Sequence, residues 1–315
     1  MVVVEGALGS VGRGGLGSGG RVGDGFLSGG TPNRIGRSEW RSDPAQFASA
    51  SLLDAFGHPH AAAVAELLRN MLAGCRPTGR RPLQEPYSIR CTPQLLGAVG
   101  TSTAHASKVI EDDLNGISDN PLFFPDEGVV VHGGNFFGQP VSFAADLLAS
   151  GLIQMGNLAE RQLDLMLDAR RNGDLAPMLS VSPGRQHGLQ GVQLAATATI
   201  AAMRRAGMPA SIQSLPTNGH NQDVVPFGTQ AALNALELAD SLRWLHGSLA
   251  VALRQAVYLQ GRKPTAPECA ELIGRLAAVV PAIDPDRPLR GDVHAAADVL
   301  DRCAGRLLDE SGELR

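Results

Sequence analysis

A chain of 315 residues with 43% hydrophobic content is long enough for one large or two ordinary domains around a sizeable core. Lys and Arg total 27 against 31 Asp and Glu, so the formal charge of -4 excludes a chain-wide basic field that would draw in nucleic acid or an anionic membrane. A small molecule or another protein is the expected partner.

Cys75, Cys91, Cys269 and Cys303 are widely spaced with no Cys-x-x-Cys, which predicts four isolated thiols in a reducing, cytoplasmic setting and no structural zinc site. The first residues lack a basic segment followed by a long apolar one, and no apolar run is long enough to span a bilayer. Neither export nor membrane insertion is expected.

Residues 1 to 36 hold 13 of the 38 glycines with neither a helical nor a strand period, so residues 1–48 are expected to be an unfolded Gly-rich leader, and 49–315 a helical domain. Gly15, Gly17 and Gly20 satisfy G-x-G-x-x-G formally, but the residues after them offer no helix whose start could hold a pyrophosphate. From about Ala48 the texture changes to Ala- and Leu-rich stretches with apolar residues at i, i+3, i+4 and i+7. Their spacing predicts helices over 60–74, 93–116, 139–170, 188–206, 227–259, 266–280 and 292–307. The expected class is all-α, a bundle of long helices. Around Phe143 to Ile153 apolar positions run nearly the whole way round, broken by small residues, so this helix is expected to need neighbours on several sides and favours an oligomer. Gly128 to His132 reads as one strand of a short hairpin.

Three polar inserts interrupt the helices. In Gln84-Glu85-Pro86-Tyr87-Ser88-Ile89-Arg90, Pro86 disfavours a helical Glu85, which places Tyr87 and Arg90 where a loop enters a helix. An arginine fork matches a carboxylate with two parallel hydrogen bonds, and a phenol beside a cation can exchange protons, so the pair suits a small carboxylic acid. The structural alternative is a surface cation beside a half-buried tyrosine.

The second insert runs from Ser118-Asp119-Asn120-Pro121 to Gly133-Gly134-Asn135-Phe136-Phe137-Gly138. There Asn135 could hold a polar group and Phe136 could lie on a planar ligand, or the two phenylalanines could staple the next helix. The third, Ser214 to Pro226, is rich in uncharged hydrogen-bonding groups. Gln222 cannot titrate and would orient a ligand, His220 reads as a structural imidazole, and Asp223 as a helix cap. His58-x-His60 has no carboxylate pair nearby and is not expected to hold a metal.

In order along the chain, QEPYSIRCTPQLLGAV, SDNPLFF, GGNFFGQPVSFAADLLA, LAERQ and SLPTNGHNQDVV resemble the aromatic amino acid ammonia-lyases and aminomutases, the family of histidine, phenylalanine and tyrosine ammonia-lyases. The resemblance covers about residues 50 to 315, with GHPHAAAVAELLRNMLAG before the tyrosine motif and PDRPL near the end. It implies a mostly helical homotetramer whose active sites each draw on three subunits. By this resemblance Arg90 would bind the substrate carboxylate, Tyr87 would lie near the electrophile and amine as a catalytic group, and Gln84 would orient them. Phe136 would shield the prosthetic group with Asn135 nearby, and Gln222 would sit near the amine as the second catalytic residue. HNQDVV is closer to the phenylalanine lyase and tyrosine aminomutase pattern than to the SANQED of histidine lyases, which favours a neutral or phenolic ring.

The family eliminates ammonia through a methylidene-imidazolone formed from an internal Ala-Ser-Gly ahead of the tyrosine motif. Ala149-Ser150-Gly151 is the only such tripeptide here, and it follows that motif inside an expected helix. The sequence therefore predicts no cofactor in this chain and no turnover from it alone, the shape of the C-terminal part of a lyase. Its partner would be a further copy or a full-length lyase chain. A noncatalytic subunit, or the remnant of a lyase or 2,3-aminomutase, is the alternative. One departure stands out: Gly184-Arg185-Gln186-His187-Gly188 replaces the usual Gly-Leu-Asn/His-Ser-Gly.

Overall fold

The computed structural model describes residues 46–75, 84–173 and 175–311, with side chains as far as residue 305. The expected Gly-rich leader lies outside the described residues except at its end, where Gln46–Ala48 form a short turn and Ala48 is wholly buried. Its carbonyl accepts a hydrogen bond from Arg69 Nη1 at 2.6 Å.

The architecture is all-α. The helices are α1 (Ala50–Phe56), α2 (Pro59–Met71), α3 (Tyr87–Arg90), α4 (Thr92–Asn115), α5 (Gln139–Leu167), α6 (Gln190–Ala206), α7 (Gly228–Gln260), α8 (Pro267–Val279) and α9 (Arg290–Ser311). Proline sits in the first turn of α2, α4, α5 and α8, where its missing amide costs no hydrogen bond and its fixed φ favours the helix. Gly57 ends α1 in a left-handed conformation (φ 74°), its amide bonded to the Leu53 carbonyl.

The long helices α5 and α7, 29 and 33 residues, form the spine. α4, α6 and α9 pack around this pair, α2 lies on α4, and α8 rests on α7 and α9. Leu158, Leu163 and Leu167 of α5 meet Leu245, Leu249 and Val251 of α7 in one continuous core that extends to Ile200 of α6 and Val293 of α9. Burying each large aliphatic side chain contributes about 1.5–3 kcal/mol, which explains how helices with long stretches of alanine hold together.

Between α4 and α5 the chain makes the expected hairpin, β1 (Leu122–Phe124) antiparallel to β2 (Val129–Val131), with Phe123 paired to Val130. α5 has neighbours on several faces, as its sequence demands, but Phe143 and Leu147 remain exposed at 58% and 38%. Among the described residues no helix is long and apolar enough to cross a membrane.

Candidate functional site

Pro86 (ψ 159°) directs the chain into α3, a single turn whose start is Tyr87, and α4 follows immediately at Thr92. The turn is anchored from α5, where Gln162 Nε2 donates to the Ser88 carbonyl at 2.8 Å. That gives a structural role to the last residue of LAERQ.

On this support the Arg90 guanidinium carbon lies 4.7 Å from the centroid of the Tyr87 ring, in a cation–π contact. The exposure is the reverse of the structural alternative. Tyr87 is 71% exposed, whereas Arg90 is half-buried with its Nε out of water and without a hydrogen-bond partner. A buried guanidinium N–H without an acceptor is costly, and a ligand carboxylate is the group that would relieve it. Gln84 is exposed two residues before Pro86. Beside the turn, Ile89 and Glu85 help line an apolar cavity of about 550 Å³ with Phe47, Leu68, Cys75 and Cys269.

The other two inserts meet at a different place. Ser142 Oγ, on the first turns of α5, donates to the Pro226 carbonyl at 2.6 Å, and the Asp146 carboxylate accepts from the amides of Ala210 and Ser211 at 3.1 and 2.9 Å. Gly138 and Gly228 are also close, since a Cβ on Gly228 would lie 3.6 Å from the Gly138 carbonyl oxygen. The loop before α5 and the loop before α7 therefore share one end of the bundle. Ser142 and Asp146 are the residues that motif reading passed over. Their signal was a hydroxyl and a carboxylate one turn apart on an otherwise apolar helix face.

At this end Asn135 Nδ2 donates to the Ile117 carbonyl at 3.3 Å and helps line a cavity of about 450 Å³ with Asp112, Asp113, Ser118 and Pro140. Phe136 and Phe137 are exposed at 55% and 38%, too open for the staple considered for them. Gln222 is exposed in a tight loop closed by paired backbone bonds with Thr217, whose hydroxyl donates to Gln222 Oε1 at 2.7 Å. Asn218, Gly219 and His220 all have positive φ (51°, 63° and 67°), a conformation costly for the two non-glycine residues, and strain of this kind concentrates at binding loops. Asp223 does not cap the following helix, since the N-cap of α7 is Phe227 with no side-chain cap.

Ser142 and Gln162 measure the separation of the two regions. They are twenty residues apart on α5, so roughly 30 Å of helix lies between the Tyr87–Arg90 turn and the Gln222 loop. Within one chain, Asn135, Phe136 and Gln222 gather at one end while Gln84, Tyr87 and Arg90 stand apart from them.

The departing segment Gly184 to Gly188 has its own clasp. Asp286, from PDRPL, accepts the amides of His187 and Gly188 at 2.6 and 3.0 Å, and His187 Nδ1 contacts Gln190 Oε1 at 2.9 Å. His58 lies against Phe56 with ring centroids 4.3 Å apart, and among the described residues no cluster of three or more His, Cys, Asp or Glu could hold a metal ion.

Residues 42–280 match the family model of the aromatic amino acid lyases. The chain is 41% identical over 220 residues to a tyrosine ammonia-lyase of Cupriavidus metallidurans, covering 69% of this chain and 41% of that protein. It is 34% identical over 240 residues to a histidine ammonia-lyase of Shouchella clausii, covering 75% and 48%. The tyrosine aminomutase structure from Streptomyces globisporus superposes with a TM-score of 0.78 at 32% identity, over 84% of this chain and 55% of that one. The chain thus spans about half or less of the length of the curated relatives it matches. With ordered motifs, helical architecture and a family match over most of its length in agreement, this chain belongs to the aromatic amino acid lyase family.

Proposed function

We propose that the chain takes part in eliminating ammonia from an aromatic L-amino acid to give an arylacrylate, within an oligomer. The observation that carries this reading is the Tyr87–Arg90 unit, a half-buried guanidinium with an unpaired Nε beneath an exposed phenol. Arg90 binds the substrate carboxylate through its fork, and Gln84 helps hold the turn's polar face. Tyr87 keeps its hydroxyl at the amine end, where a proton must move as the carbon–nitrogen bond breaks. Phe136 packs on the aromatic ring with Asn135 beside it, and Gln222 orients the amine. Because these groups lie at opposite ends of one chain, the site forms where copies, or a longer lyase chain, associate. A reducing, cytoplasmic setting and an aromatic side chain without positive charge belong to the same reading.

The electrophile does not fit Ala149–Gly151. That tripeptide is in the middle of α5, and Ser150 Oγ donates back to the Asp146 carbonyl at 3.1 Å. Ring closure needs a backbone nitrogen brought onto a carbonyl carbon, and the helix keeps these atoms apart. In this reading the electrophile comes from outside these 315 residues.

The test is arylacrylate absorbance with phenylalanine, tyrosine and histidine. The purified chain alone should give no turnover. Co-expression with a lyase chain that carries the electrophile but lacks its own carboxylate-binding arginine should restore turnover, and Arg90→Ala should reduce it about 100-fold, as expected for two lost charge-assisted hydrogen bonds. Steady turnover by the chain alone would refute the external electrophile. Restored turnover indifferent to Arg90→Ala would refute the assigned site, and a mixed oligomer that never turns over would favour the noncatalytic subunit.

A further inference from the structure

Two thiols distant in sequence come together on the wall of the apolar cavity, away from the residues assigned above. α2 ends at Met71, and the chain turns through Gly74 (φ 77°) to Cys75, whose amide bonds to the Leu72 carbonyl at 2.9 Å. α8 starts at Pro267, with Cys269 in its first turn. These segments touch. A Cβ on Gly74 would be 3.8 Å from both Pro267 Cδ and the Thr265 carbonyl oxygen, and Cys269 Sγ donates to the Met71 carbonyl at 3.3 Å. Both cysteines line the cavity of about 550 Å³. All four thiols are free, as expected, but Cys75 and Cys269 share this wall. Cys91 sits at the α3–α4 junction and Cys303 on α9 beside Arg275, neither on this wall.

We propose that Cys75 and Cys269 form a reversible disulfide when the chain meets a low-molecular-weight disulfide oxidant such as oxidised glutathione. Their environments assign the order of attack. Cys75 is exposed and meets the oxidant first, while Cys269 is partly buried, and burial first, then the nearby Cys75 thiol, pushes its pKa up. The Cys75 thiolate attacks one sulfur of the oxidant, the oxidant's sulfur–sulfur bond breaks, and one glutathione thiolate leaves. Cys269 then gives its proton to solvent and attacks the Cys75 sulfur of the mixed disulfide, releasing the second glutathione. Two protein thiols are oxidised and one glutathione disulfide is reduced to two thiols. The link ties the segment after α2 to the first turn of α8, on the wall that Glu85 and Ile89 share, and so reaches the chain leading into Tyr87–Arg90.

Trypsin places the four cysteines on four different peptides, which makes the pairing readable. The 315-residue chain is equilibrated with oxidised glutathione, its remaining thiols are alkylated at acid pH, and it is digested without reductant for mass spectrometry. The expected result is one cross-linked pair joining the Cys75 and Cys269 peptides, loss of two alkylatable thiols and recovery of both with dithiothreitol. Cys269→Ser should leave a stable glutathione adduct on Cys75. Glutathione adducts that persist on wild-type Cys75 with Cys269 still alkylated, or cross-links to Cys91 or Cys303, would overturn the proposal. Because the decisive pattern is read on the wild-type chain, a variant that fails to fold does not protect it.

Discussion

His246 is buried in the middle of α7 with its Nε2 out of water and no hydrogen-bond partner, and burial pushes its pKa from the ordinary 6.5 down to about 3. The folded chain thus keeps a neutral imidazole where the unfolded chain takes up a proton. The unfolded state binds more protons below pH 6.5, so stability is full above that value and declines as pH falls from about 6.5 towards about 3. The slope from this one group is at most about 1.4 kcal/mol per pH unit. Urea unfolding of His246→Leu at a series of pH values should show a flatter acid limb than wild type, and identical slopes would refute the assignment. Gln255 is the opposite case, a buried amide with every group used. Its Nε2 donates to the carbonyls of Leu179 and Ile283, both at 3.3 Å, and its Oε1 accepts the Ile283 amide at 3.0 Å. Gln255→Leu should cost about 1–3 kcal/mol for each backbone group left unsatisfied, measured as a lower urea midpoint at unchanged m. Neither role could be seen in the sequence, where His246 and Gln255 are two polar residues in an apolar run whose partners lie on other elements.

Helix contacts depend on a few glycines where backbones approach. A Cβ on Gly97 of α4 would come within 2.5 Å of the Ala61 backbone on α2, and one on Gly247 of α7 within 2.3 Å of the Val293 carbonyl oxygen on α9. Backbone cannot rotate away as a side chain can, so the helices must separate. Gly97→Ala or Gly247→Ala should therefore destabilise the chain by about 1–3 kcal/mol despite alanine's better helix propensity. Gly274, exposed within α8 and with nothing within 4 Å of its Cβ position, is the control. Gly274→Ala should stabilise by about 0.5–1 kcal/mol, and destabilisation there to the same degree would show that close approach is not the cause. Helix positions were legible because long amphipathic periods are strong. The segment expected at 93–116 is Thr92–Asn115, and that at 266–280 is Pro267–Val279. One error falls where a side chain ends a helix. α5 was expected to reach residue 170 but stops at Leu167, because Asp168 turns extended and accepts from the Arg170 amide at 3.0 Å and from Arg171 Nε at 2.8 Å. The Arg170 side chain foremost holds that carboxyl well below the usual carboxylate range. α1 went unread since its seven residues are too short to show a period.

At the scale of the molecule, the motifs named the candidate residues of the proposed site but not their distances. What joins the Asn135 and Gln222 loops is a set of bonds from Ser142 and Asp146, and what separates them from Arg90 is the length of α5. Both depend on tertiary placement that no local pattern encodes. The proposed site, split in this way inside one chain, would require association, and the surface offers apolar residues for it. Leu114, Phe143, Leu194, Leu233 and Leu236, on α4 to α7, and Ile117 just after α4 are exposed at 77%, 58%, 66%, 49%, 61% and 72%. Isolated apolar residues on a surface are ordinary, and the proposed oligomer would be expected to cover several of these. A carboxylate brought into such a contact without a partner costs far more than it would in water, whereas in a free monomer it would cost almost nothing. Leu236→Glu and Phe143→Glu should therefore weaken self-association at least about tenfold, equivalent to about 1.4 kcal/mol, while helical circular dichroism stays as in wild type. Sedimentation velocity over a dilution series reads this directly. A wild-type chain that sediments as a monomer at every concentration would leave Arg90 with no route to Phe136 or Gln222 in a further copy, and only a longer lyase chain could then complete the site.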